Sequence, residues 1–226
     1  MKKLLSKKRL HFFVLCFLIF SFSFCFTACK KKIDYFSYVS ELRENIFIDE
    51  TEEYSLRAYS VVKETPYRAD GIAMETSRRI EVYFIAPQGD KNCKLTLTLE
   101  GEEYGGEMSF DNVKTQYFWT CTLDVSKCSM LNFSIQYGES SLDFTAKSVL
   151  NGKELAPALI LQNIINENPD VFSVLCDKYG FAGEIYIRLI YEENPYYYVG
   201  IIDRTGKIYA FLVNAVTGKT LAKRVS

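Results

Sequence analysis

From Lys94 to Glu100 the chain alternates without a break, with Leu95, Leu97 and Leu99 on one side and Thr96, Thr98 and Glu100 on the other. Alternation with a period of two puts successive side chains on opposite faces of a pleated strand. Such a run buries one face only and needs neighbours that do the same. Comparable short runs recur at Tyr54–Lys63, Ile80–Ala86, Glu107–Phe110, Tyr117–Leu123, Met130–Tyr137 and Leu142–Val149. Turn-forming residues separate them, among them Thr65-Pro66-Tyr67 through Asp70-Gly71, and a bend from Gly101 through Tyr104-Gly105-Gly106. Evenly spaced short strands predict an antiparallel β-sandwich-like domain over residues 35–150. Its lead-in differs. Tyr35, Tyr38, Leu42 and Ile46 fall at helical spacing, which predicts a short helix or an irregular segment over Tyr35–Ile46.

The pattern changes near residue 150. Leu155, Ala158, Leu159, Leu161, Ile164 and Ile165 follow a helical period, and Pro157 suits a first helical turn, where its missing N–H costs nothing. Asn168-Pro169 ends that helix, and a second is predicted over Val171–Tyr179 with Gly180 as its terminator. Strands follow at Glu184–Tyr191, Tyr196–Asp203, Lys207–Asn214 and Lys219–Lys223. The predicted fold class is therefore mainly β, with a C-terminal α+β part of helices and antiparallel sheet over residues 151–226.

The N-terminus reads differently again. Lys2, Lys3, Lys7, Lys8 and Arg9 form a basic stretch without an acid, and Phe12–Phe26 is almost wholly apolar, as in a signal peptide. Fifteen residues of helix rise about 22 Å, short of a hydrocarbon core of about 30 Å. The run ends in Phe26-Thr27-Ala28-Cys29, followed by Lys30-Lys31-Lys32. It resembles the lipobox of bacterial lipoproteins, with Thr27 and Ala28 as the small residues before the cut and Phe26 in place of the usual aliphatic residue. The resemblance implies a signal peptide over residues 1–28, lipidation of Cys29 by diacylglyceryl and acyl (palmitate-type) chains, and a basic tether over residues 29–34. The expected location is the outer side of the cytoplasmic membrane, or the periplasm where the host has an outer membrane. Two chains anchor stably where one is marginal, and the tether lysines suit anionic head groups.

Removing residues 1–28 leaves 22 basic against 28 acidic side chains, a net charge of −6, and −9 once Lys30–Lys32 are set aside. An acidic body argues against nucleic acid as a partner, because neutralising a phosphate backbone needs a basic surface. His11 is the one histidine and lies in the signal peptide. A mature chain without histidine excludes Ser-His-Asp and Cys-His catalysis and the commonest zinc ligand. No catalytic residue, metal or cofactor is expected. Four cysteines remain after Cys29: Cys93, Cys121, Cys128 and Cys176. Cys93 is in register with Leu95, Leu97 and Leu99 and reads as a buried thiol, and matching apolar faces sets Cys121 and Cys128 on opposite sides, so free thiols are expected.

Three C-terminal runs carry a second resemblance: Tyr198-Val199-Gly200-Ile201-Ile202-Asp203, Thr205-Gly206-Lys207-Ile208-Tyr209, and Val213-Asn214-Ala215-Val216-Thr217-Gly218-Lys219-Thr220-Leu221. They resemble the PepSY family, whose units end in an Asp-Ala-x-Thr-Gly turn before the last strand; here Asn214 replaces the Asp. The match spans about 70 residues and brings no catalytic residue with it. It implies restraint of a secreted or envelope peptidase, or binding of an envelope protein. The whole layout also resembles lipoproteins of clostridia.

Several clusters invite chemistry. Asp49, Glu50, Glu52 and Glu53 lack the alternating oxygen ligands of a calcium loop and read as a solvated loop. Glu102, Glu103 and Glu107 flank the Gly-rich bend and offer paired carboxylates for a hydrolase, although an acidic hairpin is the simpler reading. Tyr191, Tyr196 and Tyr198 are candidate ligand-binding aromatics, with Tyr197 facing the other way. Trp119, on the Cys121 face, reads as core. Taken together, the sequence predicts a non-enzymatic binding or interaction module, with peptidase restraint and a carboxylate hydrolase as the alternatives.

Overall fold

The computed structural model describes residues 33–89 and 91–226. The expectations placed on the signal peptide, on Cys29 and on Lys30–Lys32 lie outside the described residues. A 3-10 turn at Tyr35–Tyr38 runs directly into β1 (Val39–Glu50). Then come β2 (Ser55–Glu64), β3 (Thr76–Ile85), β4 (Cys93–Leu99), β5 (Glu102–Glu107) and β6 (Ser109–Asp111). β7 (Gln116–Cys121), β8 (Met130–Tyr137) and β9 (Ser140–Ser148) complete the first part. Helices α1 (Pro157–Glu167) and α2 (Pro169–Val174) precede a small hairpin of β10 (Cys176–Asp177) and β11 (Gly180–Phe181). The chain ends in β12 (Gly183–Tyr191), β13 (Pro195–Asp203), β14 (Ile208–Asn214) and β15 (Thr220–Val225). It is mainly β, with a small helical part towards the C-terminus. No helix of the described residues is long and apolar enough to cross a membrane.

β1 organises the sheet. Its first half pairs in parallel with β12, Leu42 opposite Ile187 and Arg43 opposite Arg188. Its second half pairs with β9 through Phe47 and Ile48, and β2 runs antiparallel along the other side of the strand. The change of partner falls at a bulge between Arg43 and Asn45. A bulge leaves ladder groups unpaired, and buried polar groups need partners. The buried Asn45 side chain supplies them: Oδ1 accepts from the Ile46 N–H and from Ser148 Oγ, both at 2.8 Å, while Nδ2 donates to the carbonyls of Ser126 and Cys128 at 3.4 Å.

This arrangement corrects the predicted lead-in. Only Tyr35–Tyr38 is helical, and Leu42 and Ile46 belong to a strand. β1 is covered on both faces and interrupted by a bulge, so its buried residues fall in blocks and lose the period of two. The Gly-rich bend is corrected as well, since Tyr104-Gly105-Gly106 lies inside β5. A Cβ on Gly105 would come 2.3 Å from the Leu95 carbonyl oxygen, an approach that only glycine permits.

From β1 the sheet runs one way through β9, β8, β4 and β5, and the other way through β2, β3, β7 and β6. Met108 alone separates β5 from β6. The sheet thus curls nearly into a barrel, where the sequence predicted two stacked sheets. The inward sets of the alternating strands fill it, including Leu56, Val82, Phe84, Leu95, Leu97, Phe133 and Ile135, all at most 2 % exposed. Tyr117 sits among them with its hydroxyl satisfied, accepting from the Lys91 N–H at 2.8 Å and donating to the Lys91 carbonyl at 3.0 Å.

Beyond residue 150, α1 carries Pro157 in its first turn and buries Ile160, Leu161 and Ile164, packing against β13. The second helix stops at Val174, earlier than predicted, and Asp177 Oδ1 accepts the Tyr179 and Gly180 N–H groups to turn β10 into β11. β12 to β15 form an antiparallel meander. Its two later turns are closed by side chains. Asp203 Oδ1 accepts from the Thr205 and Lys207 N–H groups at 2.7 and 3.0 Å. Asn214 Oδ1 accepts from those of Val216 and Thr217 at 3.0 and 2.9 Å. The β1–β12 pairing carries this meander onto the curled sheet, and Asp34–Ser226 is one compact unit.

Candidate functional site

Residues opposite one another on neighbouring strands share a face. Arg43 lies opposite Val61 on β2, and Tyr59 and Arg57 follow Val61 on the same face of that strand. Arg57 lies opposite Tyr83 on β3, and Tyr83 opposite Phe118 on β7. On the other side of β1, Glu41 neighbours Tyr186 and Arg43 neighbours Arg188, which is opposite Tyr198. The outer face of the sheet is therefore a continuous field of aromatic and charged side chains. The Arg43 guanidinium lies 4.2 Å from the Tyr59 ring centroid, and the Arg188 guanidinium 4.5 Å from that of Tyr186. Tyr59 meets Tyr83 edge-on at 5.6 Å, and Tyr83 meets Phe118 at 5.0 Å.

Most charges on this face are paired. Glu41 accepts from Arg188 at 2.5 Å, Glu81 pairs with Lys63, and Glu50 pairs with Arg57 at 2.7 Å. Burial, and after it the neighbouring Glu81 carboxylate, pushes the Tyr83 phenol above its usual range, so it stays a donor to Glu81. A groove of about 460 Å³ lies among these residues, walled by Arg43, Arg57, Tyr59, Tyr83, Lys114 and Gln116. It shares Tyr83, Lys114 and Gln116 with a shallower groove of about 290 Å³ that reaches Phe118 and Asp111.

The far end of the face is roofed by the loop between β2 and β3. Glu184, fully buried on β12, holds that loop. Its Oε1 accepts from Ser40 Oγ at 3.1 Å and from the Tyr67 hydroxyl at 3.2 Å. Its Oε2 accepts from the Asp70 and Gly71 N–H groups at 3.1 and 2.9 Å. Burial, and after it Glu184, keeps the Tyr67 phenol protonated by pushing its pKa up. Gly71 adopts φ +79°, and a Cβ there would lie 2.6 Å from the Asp203 carbonyl carbon. The loop thus reaches the β13 backbone closely enough to require glycine. A wider concavity of about 600 Å³ is formed by the loop itself, but its walls mix Arg68 with Glu64, Asp70 and Glu75 and present no single charge.

The sequence-derived candidates are scattered. Tyr196 and Tyr198 share the outer face, Tyr198 packing at 5.8 Å from Tyr186. Tyr191 lies opposite Pro195 and so shares the face of the buried Tyr197. The three tyrosines therefore do not form one platform. Glu102 accepts from the Tyr104 hydroxyl at 2.6 Å, and alternation sends Glu103 and Glu107 to the other face of β5, so these acids do not converge. Asp49 accepts from the Thr145 N–H at 2.7 Å and Glu50 is held by Arg57, which ties half of the acidic cluster to the sheet. Trp119 lies in the core. Cys93, Cys121, Cys128 and Cys176 are free, and burial, followed by the Glu107 charge, pushes the Cys93 thiol up to about 12.

The groove residues themselves did not stand out in the sequence, yet a signal was there. The outward positions of β2 and β3 hold Arg57, Tyr59 and Tyr83, large side chains where a plain solvated face would carry small polar ones. Comparison with family models, with curated proteins and with solved structures gives no match.

Proposed function

We propose that this chain is a lipid-anchored lipoprotein of the bacterial envelope, cut before Cys29, that displays a non-enzymatic binding module outside the cytoplasmic membrane. The observation that carries the binding role is the outer sheet face, where half-buried arginines and tyrosines wall a groove open to solvent. The strands beneath it are interior to the sheet and paired on both sides, so the side chains are held on a rigid platform. The anchor rests on Phe26-Thr27-Ala28-Cys29 at the end of an apolar run. Membrane attachment through acyl chains on Cys29 then places the groove among envelope components.

Metabolic labelling with a palmitate analogue tests the anchor. The wild-type chain takes the label and Cys29→Ser does not; equal labelling of the two contradicts the reading.

A second reading is peptidase restraint by a PepSY-type C-terminal unit. Its support is the Asn214 turn, in which the amide oxygen accepts the same pair of following N–H groups that an Asp would. β15 pairs with β14 alone and leaves an edge on which an extended peptide segment can add. Inhibition of an envelope peptidase by the purified chain is the observation that would favour this reading over the first.

A further inference from the structure

We infer that the groove over β2 and β3 is a subsite for an anionic saccharide, with the acidic group held by Arg43 and Lys114 and the sugar ring laid against Tyr59 and Tyr83. This rests on the reading of the chain as an envelope binding module and names the ligand class of that site.

The first argument is charge. The body of the chain carries a net −9, yet the groove is walled by Arg43, Arg57 and Lys114 and by no carboxylate. The acids nearest to it are already engaged: Glu81 by Lys63, Glu41 by Arg188, and Asp111, which walls the continuation, by the Val113 and Lys114 N–H groups that its Oδ1 accepts. Glu50 takes up Arg57 and holds its fork at the groove wall. The groove therefore stays cationic within an acidic protein.

The second argument is Arg43. Among the described residues it has no carboxylate at ion-pairing distance. Its Nε is buried without a partner, and Nη1 reaches only the Leu189 carbonyl at 3.4 Å. Arg188, its neighbour across the β1–β12 pair, also has a buried Nε without a partner, but it has Glu41. A partly desolvated guanidinium without a counter-ion is costly, and an incoming carboxylate or phosphate supplies charge and hydrogen bonds where the guanidinium lines the groove.

The third argument is shape. β1, β2, β3 and β7 are all paired on both sides, so no backbone edge is free beneath Arg43, Tyr59 and Tyr83 for a peptide strand to join; the free edge lies beyond them at β6, where the continuation ends. The ligand is read by side chains alone. Tyr59, braced by Arg43, and Tyr83, braced by Phe118, line the groove with aromatic surface on which the C–H bonds of a pyranose pack, and Ser55 and Gln116 offer hydroxyl and amide groups to its hydroxyls. The groove is an open channel, and with its continuation it crosses β2, β3, β7 and β6. At about 4.8 Å between strands that is a path of roughly 14 Å, suited to part of a longer chain. A nucleic acid offers phosphates too, but the surrounding acidic surface repels a polyanion of that charge density.

Titration calorimetry of the detergent-extracted full chain, at low salt, uses three probes: tetragalacturonic acid, glucose 6-phosphate and the neutral maltotetraose. Heat of binding with either acidic probe and none with the neutral one supports the inference, and the acid that binds tells carboxylate from phosphate. No binding of either acid, or equal binding of maltotetraose, overturns it. Arg43→Gln is expected to weaken binding by about tenfold or more, the scale of one lost hydrogen bond to a charged group. Lys114→Gln, on an exposed turn where folding is not at stake, is expected to weaken it severalfold. Arg224→Gln on β15 should leave it unchanged. Unaltered affinity in both groove variants overturns the assignment to this groove. A chain that is lipidated at Cys29 yet binds neither acid defeats this inference alone. Binding without lipidation defeats the anchor alone.

Discussion

Replacing Glu184 by alanine is expected to cost about 3–5 kcal/mol of folding stability, the scale for leaving several buried donors without their acceptor at about 1–3 kcal/mol each. The carboxylate is fully buried, and its removal leaves the Ser40 hydroxyl, the Tyr67 phenol and the Asp70 and Gly71 N–H groups facing an empty site. For a chain of this length each kcal/mol moves the melting temperature by roughly 2–4 °C, so a fall of about 10 °C is expected in a thermal melt. The loop between β2 and β3 should loosen with it, so that trypsin cleaves after the already exposed Arg68 at temperatures where the wild type resists. Glu184→Gln keeps the shape and one acceptor but turns an NH₂ towards groups that are themselves donors, so it should fall between the two. An unchanged melt together with unchanged cleavage at Arg68 would mean that the loop is held by something else.

The second large effect lies in the barrel core. Phe84 is fully buried and lies 5.9 Å from Tyr54, 6.0 Å from Tyr117, 5.9 Å from Tyr137 and 5.7 Å from Phe144, ring centre to ring centre. Phe84→Ala removes the ring that four others pack on and is expected to cost about 3–5 kcal/mol, through lost transfer energy and a cavity that rigid neighbours cannot close. The measurement is the midpoint of urea unfolding. Phe84→Leu, which keeps most of the volume, should lose clearly less, and an equal loss for both would show that the ring contacts carry no particular weight.

These two residues also mark what a sequence like this one reveals. Phe84 is legible, because Ile80, Val82 and Phe84 alternate with Glu81 and Tyr83 and a pleated strand turns that pattern into an inward set. Glu184 is not. Alternation in Glu184-Ile185-Tyr186-Ile187 sends Glu184 away from the apolar positions, towards what looks like solvent. It is buried because a loop more than a hundred positions earlier folds over it, Asp70 standing 114 residues away. No local period encodes a contact of that separation.

The same distinction runs through the rest of the fold. The C-terminal meander is legible from the Asx-type turns that bracket its apolar strands. β1 is not, because it is covered on both faces and its bulge shifts the register half-way along. β5 was missed because its glycines, which allow close crossing over β4, are the residues that usually mark a bend. At the candidate site, the sequence singled out Tyr196 and Tyr198 by their clustering, but Arg43, Tyr59, Tyr83 and Lys114 come from four separate segments. Only the pairing of β1, β2, β3 and β7 brings them to one groove.

The account turns on Cys29, since the anchor decides what the groove can meet. The intact mass of the chain, extracted in detergent from its native host, tests this most directly. The predicted result is a polypeptide beginning at Cys29, heavier than its amino-acid sequence by a diacylglyceryl group, with or without a further acyl chain on the new N-terminus. A chain that still begins at Met1, or one that begins at Cys29 without added lipid, would contradict it.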